Sequence, residues 1–287
     1  MKSINDLIKL NNGMGIPCVG FGTYNAKGGD NYKMILEAIE VGYRYFDTAS
    51  LYETERDLGK AIKDSGIDRK DLYLASKAWH DELDDIDAAL ERSLNRIGTD
   101  YLDVFLIHWP RQFEGDDYMQ RDVNAYRCLE AAVKAGKIKS IGLSNFLPHH
   151  LKNILDNCEI KPVVDQLEIH PGYTQQAALD CLKSNDIVPQ AWSPLGRGSM
   201  ITNGVLEEMG QKYKKSPAQI ALRYITQEGI IPIVKSGNKE RMIQNMEIFD
   251  FEIEEYDMSM IRNMPQNTWL GEHPDFNIPK KKTNLNQ

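Results

Sequence analysis

Short apolar runs alternate with longer stretches of helical periodicity along almost the whole chain, and no linker or low-complexity run interrupts them. This alternation constrains the fold more than any other feature, because each helix must pack back over a pair of parallel strands. The apolar runs are Val19–Phe21, Tyr43–Phe46, Leu72–Ala75, Leu102–Ile107, Ile138–Leu143, Val163–Ile169, Ile187–Trp192 and Ile230–Val234. Helical spacing marks Asp30–Val41, Glu53–Lys63, Asp84–Ile97, Asp122–Ala135, Pro148–Cys158 and Gln175–Ser184, then a helix opening at Ser216-Pro217-Ala218-Gln219, then Asn238–Met246 and Glu254–Asn263. Gly42, Gly98 and Gly136 stand where helices should stop, and Ser216 with Gln219 forms a capping box around a first-turn proline. Ahead of these units, Ile8-Lys9-Leu10, Asn12-Gly13 and the return through Met14 and Ile16 read as a β-hairpin.

Eight strand–helix units in 287 residues predict a (β/α)8 TIM barrel of the α/β class behind that hairpin. A doubly wound sheet is the alternative, but the first strand lacks its glycine-rich phosphate loop. Residues 1–287 then read as a single domain. The polar stretch from Pro265, with Lys280-Lys281-Lys282, is expected to cross the active-site face as a C-terminal loop and to fray over 277–287.

A net charge of −8, from 42 acids against 34 bases, argues against a nucleic-acid surface or a polybasic membrane anchor. The apolar runs are too short to cross a bilayer, and Met1-Lys2-Ser3-Ile4-Asn5-Asp6 has no signal-peptide core. Cys18, Cys128, Cys158 and Cys181 form no C-x-x-C pair and read as reduced thiols. The expectation is a cytoplasmic monomer acting on a small molecule, with no nucleic-acid or membrane partner.

Barrel chemistry comes from the C-terminal ends of the strands. There the sequence places Asp47 with Tyr52 five residues on, Ser76-Lys77 followed by Trp79, His108-Trp109, Ser144-Asn145, Gln166, Trp192-Ser193 and Lys235-Ser236. Taken singly, Asp47 reads as a turn cap, Lys77 as a solvated strand end, His108 as a core histidine and Tyr52 as a packing residue. On one rim together they make chemical sense. A lysine beside a tyrosine favours the phenolate and lowers its pKa, a carboxylate orients the lysine, and a histidine can hydrogen-bond a substrate oxygen. That set can protonate an oxygen while its carbon receives a hydride.

Four segments now carry a resemblance. Gly42-Tyr43-Arg44-Tyr45-Phe46-Asp47-Thr48-Ala49-Ser50-Leu51-Tyr52, Leu106-Ile107-His108-Trp109-Pro110, Ile141-Gly142-Leu143-Ser144-Asn145-Phe146 and Lys235 through Asn245 resemble, in order, motifs of the aldo-keto reductases. The likeness runs from the hairpin to about Phe276, and Trp192-Ser193-Pro194-Leu195-Gly196 is similar to the microbial diketogluconate reductase and prostaglandin F synthase-like branch. The resemblance implies NADPH-dependent reduction of aldehydes or ketones to alcohols. Carried over by position, it makes Tyr52 the proton donor, with Lys77, Asp47 and His108 beside it. It puts Ser144, Asn145 and Gln166 at the nicotinamide carboxamide and Trp192 against the ring, where many relatives have Tyr. It puts Ser193 and Leu195 along the pyrophosphate, Lys235, Ser236 and Arg241 at the 2′-phosphate, and Asn245 at the adenine. Tyr24, Trp79, His108 and Trp109 would face the substrate, whose identity would be set by loops at 111–119 and from 265 onward.

Two other enzyme classes fit less well. Tyr73-Leu74-Ala75-Ser76-Lys77 matches the Y-x-x-x-K pair of short-chain dehydrogenases, but lies in an apolar strand run with no G-x-G-x-x-G before it. The six histidines include no H-x-H or H-E-x-x-H, so no metal is expected, and His149-His150 reads as a helix start. A barrel that kept only a binding role would not need all four of Asp47, Tyr52, Lys77 and His108.

Overall fold

The computed structural model of the protein describes residues 1, 3–24, 28–110, 118–266, 269–271 and 273–275. A two-stranded hairpin, β1 (Leu7–Lys9) and β2 (Gly15–Pro17), precedes eight parallel strands. These are β3 (Gly20–Gly22), β4 (Tyr45–Asp47), β5 (Tyr73–Ala78), β6 (Val104–Ile107), β7 (Ile141–Ser144), β8 (Val164–Glu168), β9 (Val188–Trp192) and β10 (Ile231–Val234). They pair in chain order and close when β10 joins β3, which is the (β/α)8 barrel the alternation predicts. Two of the longer apolar runs start before their strands do: Leu102 and Ile138 pair with each other as an isolated bridge below β6 and β7.

Around the barrel lie α1 (Asn31–Val41), α2 (Glu55–Ser65), α3 (Ile86–Ile97), α4 (Tyr118–Lys134), α5 (Pro148–Leu155) and α6 (Gln176–Ser184), then α7 (Gly204–Tyr213), α8 (Pro217–Gln227), α9 (Lys239–Met246) and α10 (Glu255–Arg262). The first shows why the sequence signals worked. Asp30 caps α1 by accepting from the Lys33 amide, Met34, Ile35, Ala38 and Ile39 form its buried stripe, and Gly42 ends it at φ 117°. The Ser216–Gln219 capping box opens α8 as expected, with Pro217 in its first turn.

The sequence reading missed α7. The segment between β9 and α8 holds a 3-10 stretch over Gly196–Thr202 and then α7, capped by Asn203. Gly204 and Gly210 weaken its local helical signal, and burial of Leu206 and Met209 supplies what propensity does not. The acids Asp84 and Asp85, expected in the first turn of α3, sit instead in a 3-10 turn over His80–Asp85. Likewise α2 begins at Glu55, because Glu53 adopts φ 57°.

The hairpin closes the lower end of the barrel. Leu10 and Ile16 join Tyr45, Tyr73, Ala75, Val104, Leu106, Val164, Ile231 and Ile233 in one interior apolar cluster. The amide groups of Asn11 and Asn12 donate to Pro162 O at 2.8 Å and to Ser140 Oγ at 2.9 Å, which fixes the turn under β7 and β8. At the opposite end, Leu270, Gly271 and Asp275 lie against the rim, as expected for the C-terminal loop. The tail at 277–287 and the loop at 111–117 lie outside the described residues. Among the described residues no helix is long and apolar enough to cross a membrane.

Candidate active site

Strand periodicity builds the site from below. Tyr45 and Asp47, Ala75 and Lys77, Gly142 and Ser144, and Val164 and Gln166 are pairs two apart, so each lower member of the interior is followed by a polar residue on the same face. Lys77 is fully buried, and its Nζ donates to Asp47 Oδ1 at 2.5 Å and to Thr48 O at 2.9 Å. The other Asp47 oxygen accepts from Gln166 Nε2 at 2.9 Å. Gln166 also donates to Gln190 Oε1 at 3.0 Å, and that oxygen accepts from the Tyr45 hydroxyl at 3.2 Å. A continuous polar chain therefore runs from the apolar floor to the rim. It satisfies a charge that would be prohibitive if left alone in this interior.

Tyr52 ends a 3-10 turn, Ser50–Tyr52, just beyond β4. Its hydroxyl is 3.2 Å from His108 Nε2, and the Lys77 ammonium lies 5.0 Å from its ring centre. Burial, then the nearby Lys77 charge, holds the His108 imidazole well below its ordinary pKa, so it is neutral near pH 7.

One expectation is corrected here. Lys77 was expected to lower the Tyr52 pKa, yet the phenol is pushed well above its ordinary value, first by burial and next by the Asp47 carboxylate. Lys77 spends its charge on Asp47, and the close pair presents little net positive field to the phenol. Tyr52 is thereby kept in its proton-bearing form.

The aromatic residues expected at the substrate side do surround this pair. Tyr24 packs on Tyr52 with ring centres 4.9 Å apart, and Trp79 meets His108 edge-on at 4.9 Å. Trp109 follows directly and is half-buried.

The expected cofactor residues fall into two groups. In the first, Ser144 Oγ donates to Gln166 O, Asn145 Nδ2 donates to His108 O at 3.0 Å, and Trp192 Nε1 donates to Asn145 Oδ1 at 2.8 Å. Asn145 adopts φ 64°, which turns the chain sharply out of β7 and brings its amide between His108 and Trp192. Ser193, at φ 50°, and Leu195 lead from Trp192 toward the 3-10 stretch. In the second group, Lys235 and Ser236 leave β10 and Asn238 caps α9 by accepting from the Arg241 amide at 2.9 Å. Arg241 is exposed one turn on, and Asn245 is buried on the same helix. Ser236 Oγ is itself used in the turn, between the Asn238 amide and carbonyl.

Sequence reasoning passed over Gln190 and Glu168. Both were within reach of the two-residue period, since Gln190 lies two before Trp192 and Glu168 two after Gln166. It also passed over a convergence of His149, His150 and Asp275, whose ligand atoms lie within 4.8 Å of one another. His150 Nδ1 accepts the Leu147 amide hydrogen at 3.2 Å, so the neutral ring carries its proton on Nε2. That nitrogen faces Asp275 Oδ1 at 3.1 Å, and His149 Nε2 faces the same oxygen at 3.0 Å. Asp275 is thus hydrogen-bonded to His149 and lies against His150, which ties the C-terminal segment to the start of α5.

Known proteins give the same picture. The aldo/keto reductase family matches residues 18–265, a span that contains every barrel strand. The glyoxal reductase of Bacillus subtilis (strain 168) is 41% identical over 276 residues, covering 95% of this chain and 98% of that one. The methylglyoxal reductase DkgA of Escherichia coli O157:H7 is 35% identical over 271 residues, covering 94% and 97%. Among solved structures, an aldo-keto reductase of the silkworm Bombyx mori complexed with NADPH superposes with a TM-score of 0.84 at 31% identity, covering 91% of this chain and 88% of that one. With its closed eightfold barrel and its end-to-end likeness to these enzymes, this chain belongs to the aldo/keto reductase family of oxidoreductases.

Proposed function

We propose that the protein reduces small aldehydes and ketones to alcohols with NADPH, and that Tyr52 is the proton donor. The observation that carries this reading is the Tyr52 hydroxyl at 3.2 Å from His108 Nε2, set above the buried Lys77–Asp47 pair. Reduced nicotinamide, when bound, supplies the hydride to the carbonyl carbon. The carbonyl oxygen, gathering negative charge, is met by Tyr52 and by neutral His108, and takes its proton from the phenol. A developing alkoxide is more basic than a phenolate, so a phenol with a raised pKa still gives up its proton. The phenolate left behind regains a proton from water.

The donor set fits a dinucleotide phosphate. Lys235 and Ser236 lead into α9 and Arg241 lies in its first turn, where backbone amides and the helix dipole also favour an anion. Arg241 offers a planar fork to phosphate oxygens. Trp192 would stack on the nicotinamide with Ser144, Asn145 and Gln166 at its carboxamide, and Ser193, Leu195 and Asn245 would complete the contacts. Tyr24, Trp79 and Trp109 would shape the carbonyl side. Two relatives are named for glyoxal and methylglyoxal, so adjacent dicarbonyls are the first substrates to test. All of these residues come from one chain, and a monomer is expected to suffice.

The test is NADPH oxidation in the presence of glyoxal, methylglyoxal and a panel of simple aldehydes and activated ketones, with NADH in parallel. Turnover with NADPH and an alcohol product is the expected result. A folded protein that binds NADPH and turns over none of the panel would sink the reading.

A further inference from the structure

The C-terminal segment meets the rim where β8 and β9 run side by side with Glu168 opposite Trp192. The Glu168 carboxylate is fully buried and both its oxygens hold that segment. Oε1 accepts the Leu270 amide at 2.9 Å and Oε2 accepts the Gly271 amide at 3.0 Å. Four residues on, the clasp of Asp275 with His149 and His150 holds it again. Between these fastenings the backbone presses on Trp192. A Cβ placed on Gly271 would lie 2.4 Å from Trp192 Cη2, 3.2 Å from Glu168 Oε2 and 3.3 Å from Arg197 Nη2. Gly271 is not in the left-handed region, so lack of room, and not backbone conformation, is what excludes a side chain there. Nor can the indole readily swing aside. Its Nε1 is bound to Asn145 Oδ1 at 2.8 Å, and the Asn145 amide is in turn bound to His108 O and Ser144 Oγ.

We propose that Glu168 and Gly271 are positioning residues for the nicotinamide: Glu168 draws the C-terminal backbone onto the far edge of Trp192, and Gly271 lets it come close enough to clamp the indole against Asn145. The inference rests on the stacking role proposed for Trp192. A ring held at both edges stacks on its partner without first losing rotational freedom, which is the general advantage of preorganisation. Freeing one large side chain should weaken cofactor binding about three- to tenfold. Charge-assisted bonds from two adjacent amides to one buried carboxylate are strong enough to hold such a segment in place.

The experiment is a double-mutant cycle read by NADPH affinity and by the rate of NADPH release, using the full chain. The proteins are wild type, Gly271→Ala, Trp192→Phe and the double variant, with melting temperature and the carbonyl KM followed in each. Phenylalanine lacks the outer indole atoms, so the severe clash of a methyl group at position 271 is gone, and Glu168 Oε2 and Arg197 Nη2, at 3.2 and 3.3 Å, need to yield only slightly. Gly271→Ala is expected to weaken NADPH about three- to tenfold and to speed its release beside Trp192, and to do neither in the Trp192→Phe background, with the carbonyl KM unchanged. Glu168→Gln provides a second reading if Gly271→Ala folds poorly. It keeps one accepting oxygen, leaves one amide without an acceptor, and should show the same dependence on Trp192. Equal losses in both backgrounds would overturn the clamp while leaving the stacking role intact. If a Trp192→Ala variant, which has no ring to stack, changes neither NADPH affinity nor release, the stacking role fails, and the clamp fails with it.

Discussion

The two ends of the barrel interior are made from the same strands and obey opposite rules. At the lower end Leu10, Ile16, Tyr73, Val104, Leu106, Val164, Ile231 and Ile233 pack on one another under the hairpin. Two or four residues further along the same strands stand Lys77, His108 and Gln166, joined by Asp47 and Gln190. Apolar layers contribute stability wherever they are closed off from water. The polar layer must be hydrogen-bonded at nearly every atom merely to be tolerated, so its residues are there for chemistry. His108 Nδ1 and Gln190 Nε2 are the exceptions, both buried with no hydrogen-bond partner among the described residues. The comparison teaches that one strand can serve both purposes, because a step of two residues moves a side chain from floor to rim without changing its face.

Substitutions at the two ends should therefore separate activity from stability. The largest effect is expected from Tyr52→Phe, which should lower kcat for reduction about 10²–10⁴-fold and leave both the melting temperature and NADPH affinity nearly unchanged. Steady-state kinetics beside a thermal melt would read both, and near-normal turnover would mean another group is the acid. Lys77→Met removes the partner of a buried carboxylate and should damage both properties, with about 3–5 kcal/mol lost from unfolding free energy. Asp47→Asn should be milder, since it leaves no carboxylate charge facing the phenol. If chemical denaturation showed Lys77→Met as stable as wild type, the polar layer would not carry the cost argued for it.

At the lower end, Leu106→Ala should lose about 2–5 kcal/mol of stability by opening a cavity. The kcat of the folded enzyme should stay close to wild type. A large fall in kcat with stability intact would break the division between the two ends. Smaller again, Arg241→Ala should weaken NADPH roughly tenfold, the loss of one charge-assisted hydrogen bond, and leave NADH nearly untouched. Cofactor titrations that weakened both equally would place the arginine's effect in the fold. The smallest effect is one of pH. Tyr52 titrates above its ordinary range and His108 well below its own, so both stay neutral and kcat for reduction should be flat between about pH 7 and 9. A clear limb inside that window would show that the rim is wired differently.

The fold was legible because its signals are local. Asp30 and Gly42 bracket α1, Ser216 and Gln219 open α8, and each barrel run is rich in apolar residues, as strands covered on both faces are. Asp47, Tyr52, Lys77 and His108 were legible for a related reason, since each stands where a strand of readable period runs out. The missed helix α7 carries two glycines and draws its stability from tertiary burial of Leu206 and Met209, which no local window displays. Glu168 and Gln190 lay within reach of the period but off the strand ends that mark the rim: Gln190 sits two residues below Trp192 inside β9, and Glu168 two beyond Gln166 on β8.

The amino-acid order alone determined the number of units, their closure into a barrel and the rim on which the reactive residues stand. These follow from hydrophobic period, caps and turns, all of which act over a few neighbouring residues. Only the tertiary structure decided the state of those residues and the company they keep. Burial, and then the Asp47 carboxylate to which Lys77 is bound, raise Tyr52 where the lysine alone would lower it. Asp275 meets His149 and His150, and Gly271 meets Trp192, across 126 and 79 positions of sequence. Burial and charge act through space, and their sign at any one atom depends on distances that exist only once the barrel has closed.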